Sequence, residues 1–327
     1  MSDTPVHNLI IGHQGQDGTL LREQLNAEGL TWVGVDQGVL ESTTGLSSCF
    51  ASAIDVADPE QVGELVRWCK PAEIHYLAAY HQGSARRAES PSTHLVSGLR
   101  VNVLGPLNFL KAIEAHCPKS RFVYASSSLV YAPTESPEER IDESYPKTPA
   151  ESYAFEKALV GNYCAQYRDR CGIHANTAIL FNHESRYRPS GFFTRDVTDA
   201  LTSILRGELS SWEVGSLDAI VDWSYAGDTV DAIRRIARGN NPGEYIVSSG
   251  IAHTTGDLIN IACRYVGLDM KTCIKCNPEK TFRNNTCRIG NSTKLRNETG
   301  WAPTKTFNEL VVDLMQASID RRETEPL

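Results

Sequence analysis

No stretch of this 327-residue chain is both long and uncharged, so nothing in it has the make-up of a membrane-spanning helix. The opening residues lack the basic and apolar blocks of a secretion signal, and the expectation is a cytoplasmic protein. Positive charge is also short. Against 40 Asp and Glu stand 32 Lys and Arg, a formal net charge of −8, which argues against a general nucleic-acid binder with a basic stripe. That sign leaves a phosphorylated small molecule open, because a few cleft arginines suffice to hold one. Internal repeats and low-complexity segments are missing as well. The nine cysteines are an odd number in a chain with no secretion signal, and they read as reduced thiols. Cys273 and Cys276 have metal-ligand spacing with Cys263 and Cys287 flanking them, but the second tight Cys or His pair of a zinc site is absent. The spacing reads as coincidence and no metal is expected. The remainder, 41% hydrophobic and 22% charged, is that of a globular chain able to form one large domain or two lobes.

What is present near the N-terminus is a glycine turn. Gly12-His13-Gln14-Gly15-Gln16-Asp17-Gly18 follows the apolar run Asn8–Ile11 and precedes the helix-like Thr19–Leu25. A glycine turn between a buried strand and a helix N-terminus lets the backbone approach a diphosphate and offers it free N–H groups. The spacing is G-x-x-G-x-x-G, and glycines alone are weak evidence. A second marker is the next strand, Thr31–Val35, ending on Asp36, where a carboxylate accepts hydrogen bonds from a ribose diol. The same carboxylate repels a 2′-phosphate, so NAD is expected over NADP. No Arg or Lys lies between Arg22 and Arg67 to reverse that preference.

The first half alternates apolar runs with amphipathic stretches. Strands are expected at Asn8–Ile11, Thr31–Val35, Ser52–Ile54, Glu73–Leu77 and Phe122–Ala125, with helices at Thr19–Glu28, Pro59–Trp68 and Leu95–Ala115. A helix over Ser152–Arg170 and a strand over Ala175–Leu180 follow. This order predicts an α/β fold, a Rossmann-type doubly wound parallel sheet with a smaller C-terminal substrate-binding lobe. The expected division is 1–182 for the cofactor lobe, with 228–250 returning to it, and 183–327 mainly for the substrate lobe.

Tyr153 and Lys157 stand at i and i+4 on the Ser152–Arg170 helix and share a face. A neighbouring ammonium favours the phenolate, which makes Tyr153 a candidate base for a sugar hydroxyl, while Lys157 reaches the cofactor ribose. Ser126, Ser127 and Ser128 follow the Phe122–Ala125 strand, where a hydroxyl can bind the reacting oxygen.

Together these residues resemble the extended short-chain dehydrogenase/reductase family, whose members include NAD-dependent epimerases and dehydratases. The resemblance covers the glycine turn (Gly12, Gly15, Gln16, Asp17, Gly18), Asp36, Asp55 and Val56 as an adenine contact, Leu77-Ala78-Ala79, Asn102, Ala125–Tyr131, and Tyr153 with Lys157. Within that family the chain is most similar to the GDP-mannose 4,6-dehydratases, through Ile179–Ser185, Gly215–Ala219 before Asp222-Trp223, Ser248–Thr254 and Gly300–Pro303. The resemblance implies a nucleotide-sugar substrate, GDP-linked by preference, hydride transfer at sugar C4, and a homodimer or homotetramer.

Two departures matter. Aligned on Tyr131, Ser127 takes the hydroxyl position and Leu129 falls where 4,6-dehydratases carry the glutamate that removes the C5 proton. Val221 replaces an arginine before Asp-Trp. Substrate contacts are therefore expected from His81, Ser127, Ser128, Asn182, Arg188, Arg195 and Arg283, with Arg186 a further candidate; the basic loop 183–188 could instead serve subunit contacts. The leading expectation is a 4-dehydrogenase or 4-epimerase that forms a 4-keto sugar without dehydration. Two alternatives stay open: a 4,6-dehydratase whose base has moved to His81 or Glu184, and a non-catalytic NAD-binding regulatory protein. No nucleic-acid or membrane partner is expected.

Overall fold

The computed structural model describes residues 6–37, 39–43, 54–81, 91–280 and 287–324. Its strands are, in chain order, β1 (Asn8–Ile11), β2 (Trp32–Asp36), β3 (Val39–Ser42), β4 (Glu73–Tyr76), β5 (Arg121–Ser127) and β6 (His174–Leu180). There follow β7 (Asn182–Glu184), β8 (Trp212–Val214), β9 (Ile220–Tyr225), β10 (Glu244–Val247), β11 (Ala252–Thr254) and β12 (Ile274–Cys276). The helices are α1 (Gln16–Ala27), α2 (Pro59–Cys69), α3 (Pro91–Gly98), α4 (Gly105–His116), α5 (Ser152–Cys171) and α6 (Phe193–Leu205). After them come α7 (Ala226–Arg238), α8 (Thr255–Val266), α9 (Met270–Cys273), α10 (Thr293–Thr299) and α11 (Phe307–Thr324).

A seven-stranded sheet runs β10–β6–β5–β4–β1–β2–β3, parallel throughout except where β3 pairs antiparallel with β2. Its inner strands are buried on both faces because both faces are covered. Leu9 and Ile11 pack on one side with Val62, Leu65, Phe109 and Leu110. Ile10, pointing the other way, packs with Leu20, Leu21 and Val230. Here the doubly wound sheet expected from the alternating pattern is what the chain forms.

Two local features differ from expectation. The helix anticipated over Leu95–Ala115 is α3 and α4 joined by a π-helical stretch, Leu99–Leu104. Widening the turn frees backbone carbonyls, and buried hydroxyls take them: Tyr76 donates to Val101 O at 2.6 Å and Tyr124 to Asn102 O at 3.2 Å. Gly105 follows because a Cβ there would lie 2.1 Å from the Tyr76 hydroxyl. The edge strand β3 was not anticipated, since only its first two residues are apolar. Of the strand expected at Ser52–Ile54, residues 52 and 53 lie outside the described residues and Ile54 is in no strand.

Beyond β6 the chain builds a three-stranded sheet, β11–β9–β7, and a two-stranded one, β12–β8. These pack with α6, α8 and α11 around Val197, Leu201, Trp223, Leu258 and Val311. Asp222, fully buried on β9, ties three distant segments together. It accepts hydrogen bonds from Ser249 N–H (3.0 Å), the Ser249 hydroxyl (2.5 Å), Gly250 N–H (3.1 Å) and Gly290 N–H (3.0 Å). Burial pushes its pKa up to about 6 although those donors favour the anion. Among the described residues no helix is long and apolar enough to cross a membrane, and no three His, Cys, Asp or Glu side chains are grouped to hold a metal. The sulfurs of Cys263 and Cys273 are 3.7 Å apart and buried.

Candidate functional site

In the sheet order, β1 is flanked by β2 on one side and β4 on the other, so the chain reverses its winding at β1. A crevice opens at the carboxyl ends of the strands at such a point. The glycine turn lies there. Gly12 has φ +91° and lies so close to the β4 side that a Cβ would meet Ala78 N at 2.6 Å. A Cβ on Gly18 would meet Gly12 O at 2.2 Å, so this glycine lets α1 pack tightly on the turn. Gly15, the residue before α1, is different: a Cβ there would meet only Gly12 O, at 3.4 Å. Its outer face is bare backbone in front of a helix N-terminus, a fit for a dinucleotide diphosphate.

Asp36 ends β2 and accepts a hydrogen bond from Gln14 N–H at 2.9 Å, which fixes the carboxylate at the mouth of the turn. Arg22, the nearest cation in sequence, donates to Glu41 at 2.8 Å and lies over Trp32. Asp55 pairs with Arg100 on the π-helical stretch, and Val56 beside it is half-buried. Leu77, Ala78 and Ala79 form the segment after β4, with Leu77 N–H donating to Ile11 O at 2.8 Å. Asn102 is buried and holds that segment: its Oδ1 accepts from Tyr80 N–H and its Nδ2 donates to Tyr80 O, both at 2.8 Å.

Tyr153 and Lys157 come together with the end of β5. Lys157 Nζ donates to Ala125 O at 2.8 Å and lies 5.5 Å from the centre of the Tyr153 ring. Burial lowers the Lys157 pKa to about 7, with the Glu156 carboxylate opposing. Burial raises Tyr153 above the ordinary phenol range, and the charges of Glu156 and Asp17 add to this. The direction is opposite to that expected from the Tyr-x-x-x-Lys spacing alone, because the phenol is itself buried and two carboxylates stand near it. Ser127 Oγ accepts from Leu129 N–H at 3.3 Å, capping the 3-10 turn Ser128–Val130, in which Ser128 is buried. The side chain of His81 stands edge-on to Tyr153, ring centres 4.6 Å apart. The geometry thus gathers a phenol, an ammonium and an imidazole, with Ser127 at the end of the adjoining strand.

The substrate-side candidates are less uniform. Asn182 is exposed at the start of β7. Glu184 is buried and bonded to Arg188 Nε at 2.8 Å and to the Thr194 hydroxyl at 2.6 Å. Arg188 also donates to His183 O, and its guanidinium lies over Phe192. Arg195 is paired with Asp199, and Arg186 lies over Tyr187. Both Arg188 and Arg195 are therefore engaged within the chain. Arg283 lies outside the described residues.

Two residues of this region escaped the sequence reading. Glu156, between Tyr153 and Lys157 in the helix, is buried and accepts from Asn102 Nδ2 at 2.7 Å. Its only signal was a charge at a position that helical spacing makes inward. His183 lies 3.0 Å from Asp17, a pairing across 166 residues that no local pattern announces.

Comparison with known proteins adds the following. A family model described as GDP-mannose 4,6 dehydratase matches residues 9–314. A relative from Drosophila melanogaster described as GDP-mannose 4,6 dehydratase is 28% identical, over 98% of this chain and 87% of its own. One from Arabidopsis thaliana, GDP-mannose 4,6 dehydratase 2, is also 28% identical, over 97% and 88% respectively. Among solved structures, RMD from Pseudomonas aeruginosa complexed with NADPH superposes with a TM-score of 0.80 at 22% identity, covering 96% of this chain and 100% of that one. The dTDP-glucose 4,6-dehydratase from Bacillus anthracis in complex with NAD has a TM-score of 0.80 at 17% identity, covering 98% of each.

Proposed function

This chain belongs to the GDP-mannose 4,6-dehydratase family, and from that premise we propose that it oxidises C4 of a nucleotide-linked sugar with NAD and does not remove water. NAD, when bound, supplies the acceptor for the C4 hydride. In this chain Gly12, Gly15 and Gly18, Asp36 and Lys157 would hold it. Tyr153 takes the proton of the C4 hydroxyl only as its phenolate, a form that burial opposes and that the positive ring of bound NAD would favour, and the Ser127 hydroxyl orients that oxygen from the strand end. The product is a 4-keto sugar, released or reduced again from the other face.

The observation that carries the reading is Leu129, half-buried on the turn after β5, at the position where the resemblance calls for the C5 base. An alkyl side chain cannot accept a proton. Glu184, one of the two substitutes, supports the same reading because its carboxylate is bound to Arg188 and Thr194. The product decides. Incubated with a GDP-sugar in deuterated water, the enzyme should yield no 4-keto-6-deoxy sugar and no deuterium at C6, as read by mass spectrometry. That product, formed at turnover rates, would overturn the reading in favour of a dehydratase. His81, in contact with Tyr153, would then be the base to replace first.

Cofactor preference follows from charge. Calorimetric titration should give tighter binding of NAD than of NADP, because the Asp36 carboxylate repels a 2′-phosphate. Asp36→Asn keeps the acceptor for Gln14 N–H but removes the charge, so the gap should narrow. NADP binding as tight as NAD by the unaltered protein would contradict this.

A further inference from the structure

The first turn of α1 carries a feature that works against the ligand it is built for. Asp17, its second residue, brings a carboxylate to the helix end whose N–H groups favour an anion. The Asp17 side chain is only 17% exposed, so water screens it poorly. Facing it is His183, 14% exposed, with Nε2 3.0 Å from Asp17 Oδ2 and Nδ1 2.7 Å from Phe181 O. A carbonyl oxygen only accepts, so Nδ1 carries a hydrogen, and a second shared with the carboxylate makes the pair neutral overall.

We infer that His183 is a positioning residue for the dinucleotide turn: it cancels the charge of Asp17 where a diphosphate would lie, and it ties β7 to the start of α1. The second half of that tie is Gln16. Its Nε2 donates to His183 O at 3.1 Å, and its Oε1 accepts from the Ser185 hydroxyl at 2.9 Å. The side chains of Gln16 and Asp17 are thus bonded to residues 183–185. The charged and titratable neighbours are Arg188, on the carbonyl of His183, Glu184, which holds Arg188, and the Tyr153 phenol, which feels Asp17 from α5. Burial works against the charge of each partner, but Asp17 raises His183 and His183 lowers Asp17 on balance.

The inference rests on the NAD reading above, and one binding experiment separates the two. NADH is titrated into the full-length protein and followed by its fluorescence. His183→Gln keeps a donor towards Asp17 but not the charge, and should weaken binding about tenfold. Asp17→Asn alone should bind at least as well as the parent. The double variant Asp17→Asn/His183→Gln should return to within about threefold of the parent, because no charge is left to cancel. A His183→Gln variant that binds as the parent does, or a double variant no better than the single, overturns the inference while the cofactor reading stands. A tenfold loss in Asp17→Asn would do the same, and it carries the test if His183→Gln fails to fold. A parent protein that binds neither NADH nor NAD removes the cofactor reading and this inference with it.

Discussion

Tyr153→Phe should lower turnover by about 10²–10⁴-fold while leaving dinucleotide affinity nearly unchanged. The substitution removes one oxygen and keeps the ring, which is held edge-on against His81 and lies beside the buried Lys157 ammonium. Three neighbouring polar groups are already committed. Lys157 is spent on the Ala125 carbonyl and Ser127 caps the turn that follows β5. Glu156 is bound to Asn102, on the π-helical stretch. Sugar-dependent reduction of NAD, followed by the absorbance of the reduced ring, and calorimetry of NAD binding provide the two readouts. Turnover within a few-fold of the parent would mean that the proton leaves by another group, with His81 the first to examine.

Asp222→Ala should cost about 3–5 kcal/mol of stability, far more than a surface carboxylate is worth. The carboxylate satisfies three backbone N–H groups, one of them buried, and one hydroxyl, drawn from residues 249, 250 and 290. Removing it leaves those donors facing a cavity, and a water entering the gap can satisfy only some of them. Asp222→Asn is the sharper probe. It fits the space but turns an NH₂ towards donors, so it too should destabilise, by about 1–3 kcal/mol. Urea unfolding of both variants gives the numbers. A loss below about 1 kcal/mol for alanine would mean that the loops carrying Ser249 and Gly290 have other anchors of equal strength.

Much of the main sheet was legible because its signals are local. The Asn8–Ile11 run, the three glycines and the acid at Asp36 lie within one βαβ unit, and each has a physical reason to be the residue it is. Tyr153 and Lys157 share a helix, so their spacing alone brings them to one face. The π-helical Leu99–Leu104 was not legible, because an α and a π turn bury nearly the same apolar positions; the clue lay in Tyr76 and Tyr124, whose hydroxyls needed acceptors elsewhere in the chain. Charge was the least legible quantity. Arg188 and Arg195 read as substrate contacts in sequence, and each has an acidic partner four residues away. The downward shift expected for Tyr153 failed for a related reason: spacing gives proximity, but burial of the phenol and the carboxylates of Glu156 and Asp17 decide the sign.

The position of β10 bears on how the chain is made. It is an outer strand of the main sheet, and it covers β6, yet it emerges only after β7, β8, β9, α6 and α7. Until then β6 presents an open edge, a row of backbone groups ready to pair with another chain. The Asp222 carboxylate waits longer still, for Gly290, and Asp228 for Thr304 and Lys305. A ribosome that has delivered only the glycine turn and the tyrosine helix has therefore delivered an assembly with one side unzipped. Such a nascent chain is exposed to mispairing for the time it takes to synthesise the residues up to β10 and beyond.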